Sequence, residues 1–197
     1  MANFATDRTE LRRDCEVIAV PSGQRQTLPA GTPVRIMQTR GGAFTVSNDI
    51  HAMFRIDGAD ADALGLAPPK NSAPPAQGPL TGEMVTKTLK TVFDPELPVN
   101  VVDLGLIYSS EIATNEQGGK TIAVRMAMTS PGCGMSNVLK ADVETKLKRL
   151  PEVSEVKVEV VFDPPWTPAR MSEGARLQLG MDMDDTRGPG LVQIGRF

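Results

Sequence analysis

The 197-residue sequence is poor in the side chains that build metal centres, with two cysteines and one histidine. That scarcity excludes a self-contained Cys-rich zinc site and any multi-histidine centre. Aromatic residues are also few: one Trp, one Tyr and six Phe. The formal net charge is only −3, so no long-range field draws in nucleic acid or anionic lipid. No run approaches the roughly 18–20 apolar residues that cross a bilayer. Residues 1–13 mix Asp7 and Glu10 with Arg8, Arg12 and Arg13, and lack the apolar stretch of a secretory leader. Neither the Walker phosphate-binding pattern nor a GxGxxG dinucleotide fingerprint occurs. The expectation is a cytoplasmic protein without nucleic-acid or membrane partners. In that reducing setting Cys15 and Cys133 are thiols rather than a bridge.

What is present divides the chain. Residues 67–79 (APPKNSAPPAQGP) hold five prolines and no aliphatic side chain larger than alanine. Such a segment buries no core and reads as a semi-extended linker. Residues 1–66 before it read as a small all-β domain. The runs EVIAVP (16–21), VRIMQT (34–39), AFTVS (43–47) and AMFRI (52–56) carry β-type patterns, and Gly41-Gly42 marks a hairpin. Val34, Ile36 and Gln38 fall on one face of the second run. A small barrel or roll is expected, with a core marginal at this size.

Residues 80–181 read as an α-β-β-α-β two-layer sandwich, making the chain α+β overall. Val85, Leu89, Val92 and Phe93 form a helical stripe that ends at Asp94-Pro95. Residues 101–112 place Leu104, Leu106 and Tyr108 in strand-like alternation. Residues 115–119 (NEQGG) form a turn. Ile122, Val124, Met126 and Met128 alternate against Ala123, Arg125 and Ala127. Ser136 reads as the N-cap of a second helix striped by Leu139, Val143, Leu147 and Leu150, with Pro151 as its stop. Val156, Val158, Val160 and Phe162 form the third strand's apolar set. Residues 172–181 look helical, and residues 182–197 read as a flexible tail.

Two loops have compositions that packing alone does not require. In residues 93–100 (FDPELPVN), Asp94 and Glu96 flank Pro95. They are either solvated acids of a helix-ending turn or groups that orient a reactive neighbour. In residues 129–136 (TSPGCGMS), running from Thr129, glycines flank Cys133 just before a helix. Unpaired N–H groups at a helix start favour a thiolate, raising nucleophilicity and metal affinity. The bland reading is a small buried cysteine filling a gap. Cys15 lies among Asp14 and Glu16, which disfavour its thiolate. His51, near a turn, is a surface residue or a weak second ligand.

These residues resemble a known family. Residues 94–108 (DPELPVNVVDLGLIY) and 128–135 (MTSPGCGM) are similar to the signature and cysteine loop of PaaD-like iron–sulfur cluster assembly proteins. Residues 166–181 and the segment around Arg13-Asp14-Cys15 resemble the SufT-like branch of that family. The resemblance implies a PaaD-like domain and an accessory factor in iron–sulfur maturation rather than an enzyme. It maps the cluster or iron ligand onto Cys133 and the surrounding pocket onto Asp94, Glu96 and Thr129. A cluster normally takes four protein ligands. This chain would therefore hold one only transiently, bridged between subunits of a homodimer, completed by an outside thiol, or shared with a partner. The implied partners are iron–sulfur carriers or scaffolds of the SUF type and client apo-proteins. Two other readings stay open: an adaptor in which Cys133 is structural, and a thiol-based redox enzyme or sensor.

Overall fold

The computed structural model describes residues 8–40, 42–69, 78–94, 97–115, 118–129 and 134–181. Most of the linker and the whole expected tail lie outside the described residues.

The N-terminal part is β1 (Arg8–Glu10), β2 (Cys15–Val20), β3 (Arg25–Leu28), β4 (Pro33–Arg40), β5 (Ala43–Asn48) and β6 (Met53–Asp57). They form one antiparallel sheet in the order β1-β4-β5-β6-β2-β3. A barrel or roll was the expectation; the ladder of described residues runs from edge to edge as an open sheet. The β4–β5 hairpin falls where expected, pairing Arg40 with Ala43, with Gly42 at φ +76°. Gln38 departs from its expected face. The register shifts between Ile36 and Gln38, and Gln38 is exposed while Val34 and Ile36 are buried. A bulge inserts one residue and so reverses the alternation beyond it. The core unites Cys15, Val17, Val34, Ile36, Phe44, Val46, Phe54 and Ile56. A 3-10 helix (Gly58–Leu64), capped by the Asp57 carboxylate on the Ala59 amide, adds Ala61, Ala63 and Leu64.

The C-terminal part contains α1 (Gly82–Leu89), β7 (Ile107–Thr114), β8 (Lys120–Met126), α2 (Ser136–Lys148), β9 (Val153–Val160) and α3 (Glu173–Gln178). β7 and β8 pair antiparallel, and β9 joins the far side of β8 in parallel. The crossover that a parallel pair needs is α2. Val85, Leu89, Ile122, Val124, Met126, Leu139, Val143 and Leu147 share one core. The expected helical stripes and the alternation of β8 are therefore the packing itself.

Several expected boundaries move. α1 stops at Leu89, so Val92 and Phe93 lie beyond it. The backbone there turns to bridge Phe93 with Asn100. Residues 101–105 are turns rather than strand. Asn100 Oδ1 accepts from the Val102 and Asp103 amides (3.1 and 2.9 Å), and Gly105 sits at φ +69°. Leu104 and Leu106 are still fully buried, because the turn delivers both to the core. α2 is capped by Met135, without a side-chain hydrogen bond, and Ser136 is its first residue. Ala127 is buried where exposure was expected, and Phe162 is exposed where burial was expected. Both lie just past a strand end, where alternation no longer applies.

α2 is buried on two sides. Its second side, with Val138, Ala141, Asp142 and Lys146, meets the N-terminal sheet. Outward-facing Ile18 of β2 packs on Val138 and Ala141. Arg55 pairs with Asp142 at 3.1 Å, Arg25 with Glu144 at 3.0 Å, and Asp57 with Lys146 and Arg149 at 3.5 Å each.

Candidate functional site

The acidic loop begins where α1 ends. The Asp94 amide donates to Val99 O (3.1 Å) and the Val101 amide to Val92 O (2.9 Å), pairing residues 92–94 with residues 99–101. Asp94 is buried, and its Oδ1 accepts from the Leu97 amide at 2.9 Å. This carboxylate is thus part of the loop's internal frame, not a purely solvated acid. Glu96 lies outside the described residues. Asn100 completes the frame, donating through Nδ2 to Asp103 Oδ2 at 2.6 Å.

A strap formed by residues 162–181 holds this loop from outside. Trp166 Nε1 donates to Leu104 O (2.8 Å) and Arg170 Nε to Gly105 O (3.2 Å). The Ser172 amide donates to Asp103 O (2.8 Å), and Gln178 Nε2 to Pro98 O (2.8 Å). A Cβ on Gly105 would overlap the Arg170 carbonyl oxygen, so the close approach requires glycine there. The Arg170 guanidinium stacks 4.0 Å over the Tyr108 ring, whose hydroxyl donates to Pro164 O. Between loop and strap lies an open, polar groove of about 610 Å³, lined in part by Phe93, Asn100, Asp103, Ser172 and Gln178.

The cysteine loop leaves the same end of the sheet. The Ala127 amide donates to Leu106 O (2.8 Å), which ties the end of β8 to the root of the acidic loop. Met128 is buried and Thr129 half-buried. Cys133 lies outside the described residues, as do residues 130–132. The described chain resumes at Gly134 and enters α2, whose first-turn N–H groups receive no bond from the Met135 side chain. Such groups carry partial positive charge and favour an anion. The roots of the acidic and cysteine loops therefore meet at one end of the three-stranded sheet.

The other two candidates lie elsewhere. Cys15 is fully buried in the N-terminal core. Burial, followed by the charge of Asp60, pushes its thiol up to about 11. His51 is exposed in the β5–β6 turn at φ +60°, where the Asn48 carboxamide accepts from the Ile50 and Ala52 amides. The nearby cleft is lined only by N-terminal residues, among them Arg8, Arg35, Met37 and Asp49. Among the described residues, no three His, Cys, Asp or Glu side chains gather as a metal site.

A family model described as iron–sulfur cluster assembly protein matches residues 82–160. Over 100 residues the chain is 39% identical to an Fe-S protein maturation auxiliary factor of Porphyromonas gingivalis, covering 91% of that protein and 51% of this chain. The chain belongs to the iron–sulfur cluster assembly family. Two further relatives from Bacillus subtilis and Staphylococcus aureus are named Fe-S protein maturation auxiliary factor YitW and SufT. The first is 37% identical, with 93% of it and 50% of this chain covered. The second is 39% identical, with 98% of it and 46% of this chain covered. The residues of this iron–sulfur assembly protein that match the family model contain both loops, whereas the N-terminal sheet and the strap lie outside them. The strap is the part of the site that sequence patterning did not assign to it. Its signal was Trp166, a lone tryptophan beside two prolines, whose indole N–H needs a buried acceptor.

Among the described residues no helix is long and apolar enough to cross a membrane.

Proposed function

We propose that this chain is an accessory factor in iron–sulfur protein maturation, without turnover of its own. It receives a cluster or its iron as cargo and helps pass it to client apo-proteins in the reducing cytoplasm. The observation that carries this reading is the near-complete coverage of three relatives named as maturation factors, beside a family match over residues 82–160 that contains both loops. Cys133 is the cargo ligand, since a thiolate is the soft donor that iron–sulfur clusters need. Asp94 and Glu96, with Thr129, shape the surrounding pocket. The division into a 1–66 domain, a 67–79 linker, an 80–181 assembly domain and a 182–197 tail belongs to the same reading.

Ligand supply follows from the cysteine count. The chain has two cysteines, and Cys15 is buried with its thiol held in the neutral form. One good thiolate per chain means that the remaining ligands come from a second subunit, a small thiol or a carrier protein. In cells, Cys133→Ala is expected to lower the activity of iron–sulfur enzymes while the variant accumulates as a folded protein. Unchanged enzyme activities would sink the ligand role and favour an adaptor with a structural cysteine.

A further inference from the structure

The N-terminal sheet turns one face to its own core and the other outward, and the outward face is covered only in part. Residues paired across neighbouring strands share a face. Ile18 and Val20 of β2 pack on Val138, Ala141 and Met135, which marks theirs as the face that meets α2. Strand pairing carries one row of that face across the sheet: Val20 stands beside Met53, Met53 beside Ser47, Ser47 beside Arg35, and Arg35 beside Arg8. α2 covers the β2 side of the face. Further along the row it is open: Met53 is 42% exposed and Arg35 is exposed. The bulge in β4 widens the opening. The register shifts between Ile36 and Gln38, which leaves Met37 unpaired. Its side chain is 51% exposed and lines, with Arg35 and Ser47, a cleft of about 160 Å³. Arg8 is paired with Asp49 at 2.7 Å, whereas Arg35 meets no acid among the described residues.

We propose that this open half-face is a docking surface for an acidic amphipathic helix of a partner protein, laid on the sheet beside α2. Two observations select that occupant. α2 itself shows what the same face accepts: Val138 and Ala141 lie against Ile18, while Asp142 and Glu144 meet Arg55 and Arg25. The open half repeats that chemistry, with Met37 and Met53 in the apolar places and Arg35 as a cation that still lacks its acid. Charge complementarity then fixes the sign of the partner's flank. An aspartate or glutamate there supplies the missing counter-charge, and a lysine is repelled. Methionine and arginine are also the residue types enriched in the cores of protein interfaces. Methionine's unbranched, polarizable chain adapts to differently shaped partners, which suits a surface that serves more than one. The surface lies outside the family-matched residues 82–160, so it goes beyond the maturation role and does not depend on Cys133.

The test uses the full chain and a fluorescein-labelled helix-forming peptide of about 18 residues, long enough to hold a helix. Leucines at i, i+3, i+4 and i+7 give it an apolar stripe, and glutamates flank the stripe. Two control peptides carry lysine for glutamate or serine for leucine. Fluorescence anisotropy should show saturable binding of the acidic peptide, weaker by about tenfold or more for both controls. Arg35→Glu and Met37→Ser should each weaken binding of the acidic peptide by about tenfold, while Met37→Leu keeps it. Both positions are exposed, so the variants should fold, which circular dichroism checks. Lys157→Glu makes the same change of charge on the other sheet and should leave binding unchanged. No binding, an equal loss in Lys157→Glu and Arg35→Glu, or full binding to both Arg35→Glu and Met37→Ser would overturn the proposal. Sedimentation tests a second occupant: a wild-type dimer that Met37→Ser dissociates would give the face to another copy of the chain and overturn it. Tighter peptide binding after deletion of residues 2–7 would likewise overturn it, giving the face to the segment that leads into β1.

Discussion

The sharpest energetic prediction concerns the charge pair between the sheet and α2. The side chains of Arg55 and Asp142 are 8% and 3% exposed and stand 3.1 Å apart. Arg55 Nε and Nη2 and Asp142 Oδ2 have no hydrogen-bond partner, so the pair is held by charge without full hydrogen bonding. Asp142→Ala would leave the guanidinium buried and uncompensated, which costs about 3–5 kcal/mol in comparable sites. Replacing both partners, Arg55→Met with Asp142→Leu, removes both desolvation costs together. That double variant should be neutral or more stable than wild type by about 1–4 kcal/mol. Urea unfolding, followed by far-ultraviolet circular dichroism and by Trp166 fluorescence, measures both effects. The charge is screened by protein rather than by salt, so the loss should persist at high ionic strength. A loss below about 1 kcal/mol in Asp142→Ala would place the pair in the class of exposed bridges and refute the reasoning.

Other predictions follow from single contacts. Gly105→Ala should cost about 1–2 kcal/mol for its left-handed backbone alone, and more because the new methyl displaces the Arg170 carbonyl. The Trp166 emission should shift to the red as the strap lifts, and unchanged emission would count against the strap. Asp94→Ala removes the acceptor of the Leu97 amide and should lower stability by about 1–2 kcal/mol, read by thermal melting; a change near zero would mean that the loop is framed without it. Cys15 gives a pH signature. Its folded thiol titrates at about 11, above its ordinary value of 9.0, so the folded state keeps a proton that the unfolded state releases. Its contribution is therefore fully present below pH 9 and is lost as the pH rises towards 11. Cys15→Ala should flatten that alkaline decline, and an identical decline in the variant would contradict the assignment.

The parts of this fold that were legible in the sequence are those governed by one period. Leu139, Val143 and Leu147, and Ile122, Val124 and Met126, announce a helix and a strand because their spacing equals the geometry of those elements. The segment 101–105 was not legible in this way. Leu104 and Leu106 extend the alternation of Tyr108 and so mimic a strand, but the Asn100 side chain captures two following amides and turns the chain. The second buried side of α2 was hidden as well. Asp142 and Lys146 look like solvated helix residues until Arg55 and Asp57 arrive from a distant sheet. The site follows the same pattern. Glycines around Cys133 and acids around Pro95 stand out locally, whereas the strap depends on residues far apart in sequence. The sequence pointed to Asp14 and Glu16 as the groups that disfavour a Cys15 thiolate, whereas in the structure the thiol is pushed up first by burial and then by Asp60, which the 3-10 helix brings from far along the chain.

Anaerobic reconstitution with iron and sulfide tests the central claim most directly. Wild type and Cys133→Ala are compared by absorbance and by native mass. The account predicts thiolate-to-iron charge-transfer bands in wild type, with a mass showing one cluster shared between two chains or completed by an added small thiol. Those bands should be lost in Cys133→Ala, while Cys15→Ala retains them. Equal bands in wild type and Cys133→Ala, or no bands in either, would contradict it.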